Sequence, residues 1–146
     1  MSNLKKQVSQ DVALAELTTF LKKHKQKEFR RNQITEESIK EDYVDVIEAI
    51  EDGNLVFDKH LKPVYTLRES LFNEAEDSSL KVTEINFRQR IKPADRNLLM
   101  DGLDVQKQIG TYTLKYISFI CSLSMIEVKE LGKDDFEVLN QLCSVF

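Results

Sequence analysis

The residues that could do chemistry in this chain are few and scattered. Two histidines, His24 and His60, and two cysteines, Cys121 and Cys143, lie far apart in the sequence. A structural zinc site needs four such ligands at short spacings, and a disulfide framework needs more cysteines than these. A catalytic nucleophile needs a base beside it, and neither histidine comes with a Ser, Cys or Asp in a pattern that supplies one. Both histidines stand in polar, basic stretches and are expected to be exposed. The carboxylate pairs Asp134 with Asp135 and Glu127 with Glu130 have the chemistry to act as acid and base or to hold a hard cation. A plainer role fits their positions better, because carboxylates in first helical turns satisfy free N–H groups and complement the helix dipole. The four glycines are isolated near helix boundaries, so no phosphate-cradling loop is present. These residues point away from enzyme, cofactor and metal chemistry and towards binding.

Charge is unevenly placed. Residues 1–31 hold eight Lys/Arg and three Asp/Glu, a net +5, while residues 32–146 hold thirteen and twenty-two, a net −9. The run KKHKQKEFRR, Lys22 to Arg31, has the cations to neutralise phosphates and Phe29 to stack on a base. An acidic helix follows it, however, so pairing between the two faces, or a solvated helix end, is the better reading and nucleic acid a poor partner. Arg88 and Arg90 make a smaller positive spot, expected to pair with the adjacent acidic segment.

The chain has 146 residues, 41% hydrophobic and 32% charged, which suits one soluble globular domain and excludes the disordered and low-complexity classes. The N-terminal stretch lacks the uninterrupted apolar run of a cleavable signal peptide, so a cytoplasmic location with reduced cysteines is expected. The longest apolar stretch, Tyr112 to Ile126, contains Lys115 and several serines and falls short of the roughly 20 residues of a membrane span. No membrane partner is expected.

The elements follow from periodicity. Leu4, Val8, Leu14, Leu17 and Leu21 recur at helical spacing, which predicts a helix over about 4–27 whose stripe is widened by Val12, Ala15 and Phe20. Thr35 is the expected N-cap of a second helix, with Ile34 and Ile39 as staple and Ile39, Tyr43, Val46, Ile47 and Ile50 on one face up to Gly53. The period then changes. Leu55 to Phe57 and Val64 to Leu67 read as a hairpin, and Thr83, Ile85, Phe87 and Ile91 alternate with polar residues as a third strand after the acidic turn Asn73 to Ser79. Pro93 opens a short helix to about Asp101, and residues 104–123 read as the central helix of a bundle, packed around Ile117, Phe119, Ile120 and Leu123. Ser124 with Glu127 caps a short helix, Met125 to Leu131, and Asp134 with Glu137 caps a last one with the stripe Phe136, Leu139, Leu142 or Cys143, and Phe146.

The expected fold class is α+β, mainly helical: an N-terminal helical hairpin over 1–53, then an α+β module over 54–146 with a three-stranded antiparallel sheet and a bundle of three to four helices, in one continuous folding unit. The apolar stripe of the last helix has two readings, as core or as a docking surface that forms or fills a groove.

One family resemblance enters here. TLRESL (Thr66 to Leu71), VTEINFRQRIKPADRNLL (Val82 to Leu99) and YISFICSLSMIEVKELGKDDFEVLNQLCSVF (Tyr116 to Phe146) together resemble the small tail assembly chaperones of bacteriophages, particularly those of Mu-like and related contractile-tailed phages. The matching positions are Leu67-Arg68-Glu69, Asp95 at a helix start, Leu131 and Asp135 about a turn, and the final Phe146; Ser70 stands where many members have Pro. The resemblance covers roughly residues 54–146 and gives no role to residues 1–52. It implies a non-enzymatic protein, without cofactor, that acts in the host bacterial cytoplasm during assembly. Such a protein binds the tail tape measure protein, assists the tail tube protein to polymerise around it, and leaves before the tail is complete. The partner-binding residues expected on the apolar C-terminal helices are Met125, Ile126, Leu131, Phe136, Leu139, Leu142 and Phe146; the N-terminal helices, outside the resemblance, are expected to serve self-association or to be a lineage-specific addition. Two other readings stand beside it: a structural tail or baseplate component retained in the virion, and a small nucleic-acid-associated regulator using Lys22 to Arg31.

Overall fold

A computed structural model describes residues 7–71, 82–88 and 90–146; Leu4 and the acidic turn Asn73 to Ser79 lie outside them. The fold is mainly helical α+β, with eight helices and one three-stranded sheet among the described residues.

Helix α1 is Gln10–His24, followed after one residue by α2, Gln26–Arg30. Ser9 caps α1 by accepting from the Val12 N–H at 3.3 Å, so the helix starts later than its apolar spacing predicts. The single helix expected over 4–27 is broken at Lys25, whose backbone leaves the helical region (φ −128°, ψ 47°). The buried stripe is Ala13, Leu14, Leu17, Phe20 and Leu21, while Val12 and Ala15 face outwards.

The second expected helix is also two: α3, Glu36–Asp42, and α4, Val44–Glu51, meeting at Tyr43. Thr35 is the N-cap as expected, with Ser38 completing the reciprocal pair: the Ser38 N–H donates to Thr35 Oγ1 at 3.2 Å and the Thr35 N–H to Ser38 Oγ at 2.8 Å. The break at Tyr43 frees N–H groups in the first turn of α4. Gln141 takes them up, its Oε1 accepting from Asp45 N at 3.0 Å and Val46 N at 3.2 Å while its Nε2 donates to Asp45 Oδ2 at 2.6 Å. Gly53, at φ 79°, ends this segment in the left-handed conformation that helix C-termini favour.

The sheet runs β1 (Leu55–Phe57), β2 (Pro63–Leu71), β3 (Val82–Asn86), antiparallel throughout, with Leu55 opposite Tyr65 and Tyr65 opposite Ile85. Leu55, Tyr65, Leu67, Ile85 and Phe87 are buried. The third strand is shorter than its alternation suggests: Thr83 is exposed, and Ile91 lies beyond the strand. The reason is Arg88, whose backbone N–H donates to Ile120 O at 2.8 Å and whose Nε donates to Phe119 O at 2.7 Å. The free carbonyls at the end of a helix capture the chain there.

Helix α5, Pro93–Met100, has the Asp95 carboxylate accepting from the Lys92 N–H at 3.0 Å. Helix α6, Ile109–Cys121, begins five residues later than 104, because Asp104 to Gln108 form a separate turn closed by Gln108 N donating to Asp104 O at 2.7 Å. It ends on Ser122 in the left-handed region (φ 57°). Its buried residues are Ile117, Ile120 and Cys121, Leu123 just beyond it is also buried, and Phe119 is half-buried; α5, α7 and α8 all pack on it, as expected of the central helix of the C-terminal bundle. Helix α7, Met125–Lys129, carries the expected Ser124–Glu127 box at 2.8 and 3.1 Å. Helix α8, Lys133–Cys143, starts from Gly132 with no side-chain cap, so the Asp134 cap is not formed.

One core cluster joins α1, α3, α4, the sheet, α6, α7 and α8: α4 packs on α1, α8 and β1, while α8 packs on α6 and β2. The N-terminal hairpin is therefore part of the same core as the C-terminal helices.

Candidate functional site

A partly apolar groove lies among the first three helices. On α1, Asp11, Leu14, Ala15, Thr18 and Lys22 recur at helical spacing along one flank of the buried stripe; Ile39 and Glu36 of α3 face them, and Phe29 of α2 closes one end. They enclose a groove of about 590 Å³. Its floor is apolar for local reasons. Thr18 spends its hydroxyl on Leu14 O at 2.7 Å, which leaves its methyl free to face the groove. Ala15 is small and exposed, so a partner backbone can approach closely. The rim is charged and sided. Asp11 and Glu36 flank the floor, Glu36 also holding Lys40 at 3.6 Å, and Lys22 carries its ammonium 5.8 Å from the Phe29 ring. Lys22 and Phe29 are thus groove residues, and Lys23 donates to His60 O at 2.9 Å, so the basic run folds back on its own chain at these points.

The C-terminal residues suggested as partner-binding do not share one surface. Leu139 and Leu142 are fully buried and belong to the core. This corrects their place on a docking face: the buried stripe of α8 is Asp135, Val138, Leu139, Leu142 and Cys143, rotated from the expected one. Met125, Leu131 and Phe136 are half-buried, and Ile126 is 74% exposed on α7. Phe146 packs against Phe20, His24 and Phe87, with ring centroids 5.9, 5.2 and 6.0 Å away, and its backbone oxygen accepts from the Tyr116 hydroxyl. Of its two readings the structure supports core.

His24 is likewise not the exposed residue expected from its basic neighbours. Its ring stands 4.8 Å from Phe20 and 5.2 Å from Phe146, and its Nε2 is buried without a hydrogen-bond partner among the described residues. Burial first, then the charges of Lys23 and Lys25, lower its pKa. The Arg88 guanidinium lies 4.4 Å over the Phe119 ring.

Asp135 is the one acidic residue of the Asp134–Asp135 pair that enters the core. It accepts from the Tyr65 hydroxyl at 2.6 Å, from Arg68 N at 2.9 Å and, through Oδ2, from Glu69 N at 3.1 Å. Burial, then the bond to Asp135 and its charge, push the Tyr65 phenol well above its ordinary range. Arg68 turns to Asp52 at 2.9 Å. Arg68 and Glu69 of the Leu67-Arg68-Glu69 motif and Asp135, separate in the sequence, meet here as a clip between β2 and α8.

The groove was missed from sequence because its residues are split over three short helices whose breaks, at Lys25 and Tyr43, have no Gly or Pro to announce them. Among the described residues no group of three or more His, Cys, Asp or Glu is placed to hold a metal ion, and no helix is long and apolar enough to cross a membrane. Comparison with models of protein families, with curated proteins and with solved structures finds no match.

Proposed function

We propose that this protein is a non-enzymatic tail assembly chaperone of a bacteriophage. It masks apolar helical segments of the tape measure protein in the host cytoplasm while the tail tube assembles. The observation that carries the reading is the α1–α3 groove, in which Ala15, Thr18 and Phe29 are accessible above buried Leu14 and Ile39 and Asp11, Glu36 and Lys22 form a charged rim. A holdase needs such a surface, since covering apolar helix faces gains about 25 cal/mol per Å² of area removed from water. Exposed Ile126 on α7 offers a second, separate contact, and several weak contacts give avidity without a tight site. The resemblance of residues 54–146 to the chaperone family supplies the identity of the partner.

The test is co-expression with a candidate tail tape measure protein. The partner's soluble fraction should rise several-fold, and mass spectrometry of purified particles should find the chain absent. Unchanged solubility overturns the reading. Stoichiometric presence in the particle would make the protein a structural tail component instead.

A further inference from the structure

The two cysteines, 22 residues apart, end two different helices, Cys121 closing α6 and Cys143 closing α8. Folding brings their Sγ atoms to 3.6 Å, with the residues only 4% and 1% exposed. Cys143 also borders a cavity of about 300 Å³ that is lined by Arg96, Tyr112, Tyr116, Asn140 and Ser144. Cys143 thus lies in the wall of a space large enough for a small molecule. A disulfide needs its sulfurs at about 2.05 Å, so each has to move by somewhat less than about 1 Å, a scale that side-chain torsion and slight helix shifts supply.

We propose that Cys121 and Cys143 are an oxidative modification site, closed to an intramolecular disulfide by a small peroxide that enters through this cavity. The Cys143 sulfur, as thiolate, attacks one peroxide oxygen; the O–O bond breaks, the sulfur becomes a sulfenic acid, and the other oxygen leaves as water after protonation. The Cys121 sulfur then attacks the sulfenic sulfur. The S–S bond forms, the S–O bond breaks, and the hydroxide leaves as water with the proton that Cys121 gives up. Two thiols lose two electrons and two protons in all, and one hydrogen peroxide becomes two waters. Burial pushes the Cys143 thiol up, with Cys121 adding to the effect, so thiolate is scarce near neutral pH and closure is slow. The second sulfur, already in contact, diverts the sulfenic acid from further oxidation. The product ties the end of α6 to the end of α8, enclosing α7 in a covalent loop that constrains the unfolded chain.

The experiment uses the full reduced chain, treated with hydrogen peroxide at neutral pH while folded, quenched with catalase, alkylated in denaturant and mapped by peptide mass spectrometry. A Cys121–Cys143 cross-linked peptide should accumulate, both free thiols disappearing together, and the oxidised chain should melt at a higher temperature until dithiothreitol reverses it. In Cys121→Ala, dimedone should trap sulfenic acid at Cys143; in Cys143→Ala, Cys121 should stay a thiol. Circular dichroism checks that each variant is folded, and the unsubstituted chain alone decides the matter if one is not. Two thiols that remain free in the folded chain, or that proceed to sulfinic acid or to intermolecular dimers, would overturn the proposal.

Discussion

Tyr65 and Asp135, seventy positions apart, meet at 2.6 Å in the core, the phenol donating to the carboxylate. The bond joins the middle strand of the sheet to the first turn of α8, and the same carboxylate takes two further backbone donors from β2. A buried carboxylate is tolerated when it is hydrogen-bonded, and here three donors take up most of its acceptor capacity. The helix and strand are therefore registered by one side chain.

Asp135→Ala would orphan those three donors at once and should cost about 3 kcal/mol or more. Tyr65→Phe removes one donor and leaves the backbone pair, so about 1 to 2 kcal/mol is expected. Urea unfolding of both single variants and the double variant measures this. The double variant should cost less than the sum of the two, since the shared bond can be lost only once.

The pH dependence expected from His24 has a defined sign. Its pKa lies below 6.5 in the folded protein, so between that lower value and 6.5 the unfolded chain binds more protons, and stability falls as pH is lowered through this window. The stabilising contribution is complete above 6.5. His24→Phe keeps the packing against Phe20 and Phe146 while removing the titration. The urea midpoint of the natural chain should drop further between pH 7.5 and 5.5 than that of the variant; equal drops would show that His24 titrates alike in both states.

Much of the fold was legible because local chemistry and global packing agree. Thr35, Ser124, Pro93 and the alternating runs about Tyr65 and Ile85 mark their elements in any context. The helix breaks were not, for a physical reason: Tyr43 and Lys25 are ordinary helical residues, and what stabilises the break at Tyr43 is Gln141, almost a hundred positions away. The placement of His24 failed similarly. Its sequence neighbours are lysines, but its spatial neighbours are Phe20 and Phe146. Asp135 looked like a dipole-complementing residue because the two backbone donors that claim it belong to a strand. The stripe of α8 shifted for the same cause, since burying Asp135 rotates Phe136 to a half-buried position.

Ile120 is fully buried, and Ile120→Asp would place an unpaired charge in the core at a cost of several kcal/mol. Loss of cooperative thermal unfolding by circular dichroism is the expected result. Deleting the last ten residues should do the same, because it removes buried Val138, Leu139, Leu142, Cys143 and Val145 together, where each large-to-small change alone typically costs about 2 to 5 kcal/mol.

The two docking contacts can be separated, because neither contributes much to the core. Ala15 is exposed on the groove floor, so Ala15→Arg fills the trough with a long cation while leaving stability within about 0.5 kcal/mol. Ile126, at 74% exposure, tolerates Ile126→Ser equally well in the fold. The proposed function rests on the groove, so Ala15→Arg should abolish most of the rise in soluble tape measure protein, and Ile126→Ser should reduce it only in part. The reverse order would move the main contact to α7, where the sequence first suggested it. Melting temperatures of both variants, measured beside the solubility assay, ensure that a lost interaction is not a lost fold.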